Sequence, residues 1–275
     1  MHLWLETVTL ILAAVLGFLL GTFFSRQVRP LRLLGYGLPL SLIAALLLTR
    51  YCPACSFIAP FSWMAAGRAR FIVYAFTATM GLTVPLSRLP HRFERIFVAV
   101  VMQVFVLCFA LVPFIAPVFF RDTLANLTTR FDPDGVCLQS TQYTCGPAAA
   151  VTALQQLGIS ADEGELAVLA YCSPITGTLP MSLCEAIERK YENDGLRCRY
   201  RSFKSIQELE SEIPALVVVR DALLRDHCMT VLGVSDSTVI VGDPAFGKVS
   251  IPCDYFRRIW RFSGIVLSRG STSQI

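Results

Sequence analysis

Lysine is absent from the first 120 of the 275 residues, and acidic side chains there number two, Glu6 and Glu94. The same stretch keeps nine arginines. Residues 121–275 hold the other 15 basic and 18 acidic side chains, so the overall balance of +4 divides into +7 on one half and −3 on the other. That division excludes a nucleic-acid-binding role, which needs a basic stripe on a folded domain. Histidine is also scarce, with His2, His91 and His227 the only three. No G-x-x-x-x-G-K-[ST] phosphate loop occurs, so no ATP-binding motif is present. No internal repeat or low-complexity tract stands out, and no motif points to a cofactor or a resident metal.

What the first half does contain is apolar length. The chain is 54% hydrophobic and 16% charged, with a mean hydropathy of +0.57. Crossing a bilayer core takes about 20 predominantly apolar residues. Four stretches qualify, 7–25, 31–49, 70–87 and 96–120, and each is nearly free of charge. Backbone amides in lipid must be satisfied internally, so these are expected to be helices of a multi-span membrane region over 1–120. The apolar piece 55–66 is short and holds Pro60, which suits an interfacial or re-entrant segment better than a span. The first span has no Lys or Arg before it, while Arg26, Arg29 and Arg32 follow. It therefore reads as a retained anchor with its N-terminus outside rather than a signal peptide. This orientation puts six arginines in the inner loops 26–32 and 88–95 and three in the outer loop 50–70, as the positive-inside bias requires. Four spans return the chain to the outer side, which places the C-terminal domain outside the cytoplasm, at a bacterial inner or plasma membrane.

After Phe120 the pattern changes. Residues 121–134 are polar and read as a linker with a turn at Pro133-Asp134-Gly135. A helix is expected from Cys145 to Leu157, ended by Gly158, with further helices over 162–171, 179–193, 205–212 and 253–259. Strands are expected at 215–220, 227–234, 237–242 and 263–268. Helices first and neighbouring strands afterwards predict an α+β domain with an antiparallel sheet over 135–270. Ten cysteines are present, seven of them after residue 120, which suits either disulfides in an oxidising compartment or buried small hydrophobes.

The chemistry concentrates on Cys145 and His227. Cys145 opens a helix, where partial positive charge and free amides favour a thiolate. Gly146 beside it offers no side chain to block an approaching substrate. His227 is the one imidazole of the polar half and opens a strand. Asp243 ends the next strand, so an antiparallel pair brings their outer ends together, where the carboxylate fixes the tautomer of the imidazole. A lone His is more often structural, and Asp243-Pro244 also initiates a turn. Gln139 and Gln142 both stand close enough to Cys145 to donate to an oxyanion, and spacing does not choose between them.

Taken in order, Q-S-T-Q-Y-T-C-G-P-A-A-A around Cys145, E-L-A-V-L-A at 165–170, T-G-T at 176–178, H-C-M-T-V-L-G-V at 227–234, G-D-P-A-F-G at 242–247 and D-Y-F-R-R-I-W at 254–260 carry a resemblance. Residues 137–268 resemble the bacteriocin-processing, double-glycine leader peptidases (peptidase family C39) and their papain-like relatives. The resemblance implies a papain-like fold, a cysteine endopeptidase acting on peptide or protein substrates, Cys145, His227 and Asp243 as a triad, and Gln139 rather than Gln142 at the oxyanion. Three departures stand out. Thr144 replaces the Asp usual before the nucleophile in transporter-linked members. Cys228 follows the His in place of an aromatic or aliphatic residue. The membrane region precedes the peptidase instead of following it. The last argues against cleavage of Gly-Gly leaders by a complete exporter.

Two other readings compete: a papain-like binding or scaffold module without turnover, and a thiol transferase. A redox or metal role for Cys52-Pro53-Ala54-Cys55 is a further one. No His follows for haem, no second pair supplies zinc ligands and no βαβ unit surrounds it, so a disulfide or packing at the membrane edge is the expectation there.

Overall fold

The computed structural model describes residues 3–65, 67–86, 88–222 and 225–269, and the chain divides into two compact units, Met1–Ile115 and Ala116–Ile275. The expected domain end at residue 270 lies outside the described residues.

The first unit is helical: α1 (Leu3–Ser25), α2 (Arg29–Tyr51), a 3-10 turn (Pro53–Phe57), α3 (Phe61–Ala65), α4 (Ala69–Leu86) and α5 (Arg92–Val106). A π turn, Leu107–Leu111, carries α5 into α6 (Val112–Phe119). Among the described residues, four helical stretches are long and apolar enough to cross a membrane: Leu5–Ser25, Arg29–Tyr51, Ala69–Leu86 and Arg92–Phe119. The apolar piece 55–66 forms only the short turn and α3.

These helices run past the apolar stretches that announce them. Glu6, expected outside the first span, lies in the first turn of α1, and Glu94 in that of α5. Glu6 pairs with Arg68 at 3.0 Å, and Arg68 also donates to the Phe114 carbonyl at 2.9 Å and lies 4.0 Å from its ring centroid. A charge so neutralised costs less in an apolar setting than a free one.

Within this unit α4 is the central helix: 44% of its apolar window is buried, against 11–17% in the other three. Close approach of α1 to α4 depends on Gly17 and Gly21. A Cβ at Gly21 would sit 2.7 Å from Thr83 Cβ, and one at Gly17 would overlap Thr79 Oγ1. Small residues at four-residue spacing let helix backbones pack closely. The Thr79 hydroxyl donates to Ala75 O at 2.8 Å, so it enters the seam already satisfied. The outward side chains of α1 and α2, Leu12, Leu19, Leu33 and Leu40 among them, are apolar and exposed.

The second unit begins with a correction. The stretch read as a linker contains α7 (Arg121–Ala125), whose Leu124 is fully buried against Ala167 and Cys172, and a two-residue strand β1 (Arg130–Phe131) paired with β2 (Cys137–Leu138). Then come α8 (Cys145–Gln156), α9 (Glu163–Leu169), α10 (Pro180–Lys190), β3 (Leu196–Ser202), α11 (Ile206–Glu210), β4 (Ala215–Ala222), β5 (Arg225–Val234), β6 (Thr238–Asp243), β7 (Gly247–Pro252), α12 (Cys253–Ile259) and β8 (Trp260–Arg269). The six later strands form one antiparallel sheet in the order β3-β8-β4-β5-β6-β7. This is the expected α+β domain with an antiparallel sheet, with β3 and β7 as additions.

Both faces of the sheet are covered. Leu216, Ile265 and Leu267 pack against Ala149, Ala153, Leu183 and Ile187 of α8 and α10. Their neighbours Val217 and Val266, with Met229, Val231 and Val241, pack on the other side against Leu209, Phe256 and Trp260. Successive strand residues point to opposite faces, so two cores make ALVVV and GIVL read as unbroken apolar runs. All ten cysteines are free thiols, and Cys137, Cys172 and Cys184 are buried among apolar side chains.

Candidate active site

Cys145 is the first residue of α8, and two hydroxyls fix where that helix starts. Thr152 Oγ1, one face down α8, accepts the Cys137 amide at 2.9 Å and so ties the helix to β2. Thr230 Oγ1 of β5 donates to Ala149 O at 2.6 Å and ties it to the sheet. Opposite Thr230, Gly242 leaves room for Val136 and Thr152, since a Cβ there would sit 3.1–3.3 Å from their methyls.

His227 and Asp243 come from the neighbouring strands β5 and β6. His227 Nε2 lies 2.8 Å from Asp243 Oδ1, with the two side chains 18% and 12% exposed. The same Oδ1 accepts the Ala245 amide at 2.8 Å, which holds the carboxyl group on the turn after β6. Asp243 thus does both things its position suggests, shaping a turn and bonding the imidazole. The Cys145 thiol is the second polar neighbour of the ring. With Nε2 occupied, Nδ1 is the nitrogen left to face it. Burial pulls the His227 pKa down, but the hydrogen bonds to Asp243 and Cys145 outweigh it, and the pKa is raised from 6.5 to about 10. Two further thiols lie close by. Burial pushes Cys172 up to about 12, and its Sγ donates to Tyr143 O at 3.1 Å. Burial also pushes Cys228 well above its ordinary value. Neither is suited to act as a nucleophile.

Gln139 is tied to the same corner through its backbone, donating to Pro244 O at 2.9 Å. Its side-chain Oε1 is buried and meets no hydrogen-bond partner among the described residues. A buried polar atom left unpaired in this way costs stability unless a ligand group or water completes it. Gln142 is exposed.

Three features are not visible in the sequence pattern. Glu163, in the first turn of α9, is fully buried, and its two oxygens accept the amide (2.8 Å) and the hydroxyl (2.7 Å) of Ser140. It thereby anchors the segment between Gln139 and Cys145. Thr144, standing where transporter-linked relatives usually have Asp, is buried too. Its hydroxyl accepts the Thr141 amide and lies 3.1 Å from the Thr141 carbonyl, closing the turn before Cys145. Gly146 does not border open space: a Cβ there would lie 3.1 Å from Thr178 Cβ and 3.4 Å from Leu183 Cδ2. Its role is to let α8 pack, not to clear a path to the sulfur. Nothing in the one-dimensional pattern marks Glu163, because a Glu in a first helical turn ordinarily reads as a solvated partner of the helix dipole.

Comparison with known proteins gives relatives for this half of the chain. An uncharacterised protein of Methanothermobacter thermautotrophicus is 29% identical over 143 residues, covering 52% of this chain and 94% of its own length. One of Methanothermobacter marburgensis is 32% identical over 131 residues, covering 48% and 86%. Among solved structures, similarity extends to a double-glycine motif protease from an AMS/PCAT transporter in complex with the leader peptide (17% identity, TM-score 0.42, 53% of this chain and 96% of that one). It extends also to the peptidase domain of Streptococcus ComA (21%, 0.43, 48% and 96%) and a C39-like peptidase from Bacillus anthracis (16%, 0.42, 54% and 98%). The model of the Peptidase C39 family matches residues 135–273, half of the chain and all of the sheet and helices that hold Cys145, His227 and Asp243, and the chain belongs to that family.

Proposed function

We propose that the chain is a membrane-anchored cysteine peptidase in which Cys145 supplies the nucleophile, His227 the proton and Asp243 the group that orients it. The observation that carries this reading is the imidazole held between Asp243 Oδ1, at 2.8 Å, and the thiol at the start of α8. A raised pKa keeps the ring protonated at neutral pH, ready to donate to a leaving amine. The sulfur of Cys145 attacks the substrate carbonyl carbon, and the oxygen takes up the negative charge near the backbone amide of Cys145 and the side-chain amide of Gln139. As the carbon–nitrogen bond breaks, His227 protonates the departing nitrogen, leaving an acyl-enzyme that water releases. Asp243 holds the ring orientation throughout and stabilises its charged form.

The substrate is a peptide or protein segment presented near a bilayer. The four long apolar helices serve as the anchor, and the arginine distribution supports an extracytoplasmic place for the domain.

The test is labelling of the full-length protein with a thiol-directed acylating probe, followed by release of the acyl group. In wild type the peptide that carries Cys145 should label and turn over, and in Cys145→Ala that peptide should do neither. Equal labelling of both would remove the nucleophile assignment. Labelling without release to water, but with transfer to an added amine or thiol, would identify a transferase instead.

A further inference from the structure

The loop between α2 and α3 holds two thiols that the peptidase reading does not use. Cys55 Sγ lies 3.1 Å from Cys52 Sγ, both are free, and both are half-buried. Disulfide-bonded sulfurs lie about 2.05 Å apart, so bonding needs a closure of only about 1 Å. The backbone already holds the pair in place. The Cys52 amide donates to Leu48 O at 2.8 Å, the Cys55 amide to Cys52 O at 3.0 Å and the Ile58 amide to Cys55 O at 3.1 Å. Ser56 Oγ donates to Thr49 O at 3.1 Å and pins the far side of the turn to the end of α2.

Neither zinc binding nor core packing accounts for this C-x-x-C pair. A zinc site needs four ligands, and among the described residues no third His, Cys, Asp or Glu joins the pair. Core packing is the fate of Cys137 and Cys172, which are fully buried and whose pKa values burial pushes up to about 12. Cys52 and Cys55 differ from them in kind. The hydrogen bond from Cys55 lowers the pKa of Cys52, and the same contact raises that of Cys55. Two thiols in contact, unequal and reachable by solvent are the arrangement in which one attacks and the other resolves.

We infer that Cys52 and Cys55 form a second reactive site, a dithiol–disulfide exchange centre for disulfides presented on the side of the membrane that the loop 50–70 faces. Cys52, as thiolate, attacks one sulfur of a substrate disulfide. That S–S bond breaks, a mixed disulfide forms on Cys52, and the leaving thiolate takes a proton. Cys55 then loses its proton and attacks Cys52 Sγ, which releases the second substrate thiol and leaves a Cys52–Cys55 disulfide. The substrate disulfide gains two electrons and the loop loses two. The reverse sequence oxidises a substrate dithiol.

The experiment exposes the full-length protein in lipid nanodiscs to oxidised glutathione in one arm and to a disulfide-linked peptide pair in the other, and follows each cysteine by peptide mass mapping. Wild type is expected to yield a Cys52–Cys55 cross-linked peptide, lighter by two hydrogens, that excess reduced glutathione converts back. Cys55→Ser should retain a mixed disulfide on Cys52, while Cys52→Ser should form an adduct on Cys55 about tenfold more slowly. Reaction in both arms identifies a general exchange site, and reaction with the peptide pair alone identifies a polypeptide disulfide as its substrate. Three results would overturn the inference: equal adduct rates in the two variants, absence of the cross-link in wild type, or a cross-link that reduced glutathione does not reverse. Unchanged probe labelling of Cys145 in both serine variants shows that the protein remains folded.

Discussion

Glu163 closes on Ser140 from both sides, one oxygen on its amide at 2.8 Å and the other on its hydroxyl at 2.7 Å. Ser140 follows Gln139 directly, and Gln139 is held at its other end by Pro244 O, next to Asp243. Thr129 Oγ1 accepts the Glu163 backbone amide at 2.9 Å and donates to Asp162, so the backbone that carries the Glu163 side chain is itself braced. A buried side chain thus links α9 to the segment that leads into Cys145.

This linkage makes Glu163 a positioning residue whose loss has a defined signature. Glu163→Ala leaves the Ser140 amide without its buried partner, and hydrogen bonds to charged groups are worth about 1.5–3 kcal/mol. We expect a loss of that order in thermal or denaturant unfolding. Glu163→Gln keeps an oxygen for the amide and should recover much of the stability. In peptide hydrolysis both variants should lower kcat more than they raise KM, because the displaced group is the Gln139 side-chain amide. Equal changes in both constants would assign Glu163 to the scaffold alone.

The pH dependence follows from His227. Burial opposes its charge, the bonds to Asp243 and Cys145 favour it, and the result is a pKa raised from 6.5 to about 10. A group whose pKa is raised on folding contributes stability that is full below the unfolded value near 6.5 and fades as pH climbs through the folded value near 10. Hydrolysis should therefore hold across neutral pH and fall on an alkaline limb near 10. Asp243→Ala removes the first of the favourable contacts, so its alkaline limb should move to lower pH as its rate drops. A pH–rate profile of each protein checks this, and an unmoved limb in the variant would mean that a group other than His227 titrates.

Much of this corner is legible in one dimension, and the exceptions have physical reasons. CGPAAAVTALQQL marks α8 because its helix formers run unbroken to Gly158. GDPAFG marks the end of β6 because Asp-Pro and Gly punctuate a strand. The strand β3 is harder to see: Arg197, Arg199 and Arg201 alternate with Leu196, Cys198 and Tyr200, and the three arginines make an edge strand look like a polar loop. The preceding helix stops at Lys190, short of the expected 193, because a 3-10 turn, Glu192–Asp194, and Gly195 at φ 67 redirect the chain into that strand. Residues that act through burial leave the weakest trace. Glu163 and Thr144 look like surface side chains, and only the packing around Ser140 and Thr141 shows what they hold.

Gly146 illustrates how spacing gives identity without surroundings. Next to a reactive Cys it suggests open access, yet Thr178 and Leu183 fill the space beside it. Gly146→Ala should therefore destabilise the fold by about 1–3 kcal/mol through overpacking at 3.1 Å from Thr178 Cβ. Unfolding midpoints of the variant and wild type read this directly. A change below about 0.5 kcal/mol, the range of ordinary surface substitutions, would restore the reading that this side of Cys145 is open.

The segment after the last long helix gives the final test. A polar linker over 121–134 tolerates replacement at any position, because nothing packs on it. α7 instead buries Leu124 completely, in contact with Ala167 of α9 and Cys172, and the Leu124 carbonyl crowds Gly164 so closely that a Cβ there would overlap it. Leu→Ala at a fully buried site costs about 2–5 kcal/mol. Leu124→Ala should lower the unfolding midpoint of the second unit accordingly, while Arg121→Ala, on an exposed turn edge, should leave it within about 0.5 kcal/mol. Equal, small effects at both positions would return 121–125 to the status of a tether. A large effect at Leu124 alone would make α7 part of the domain, and any soluble fragment of the peptidase unit would then need to begin ahead of Arg121 to keep α9 seated and Glu163 aimed at Ser140.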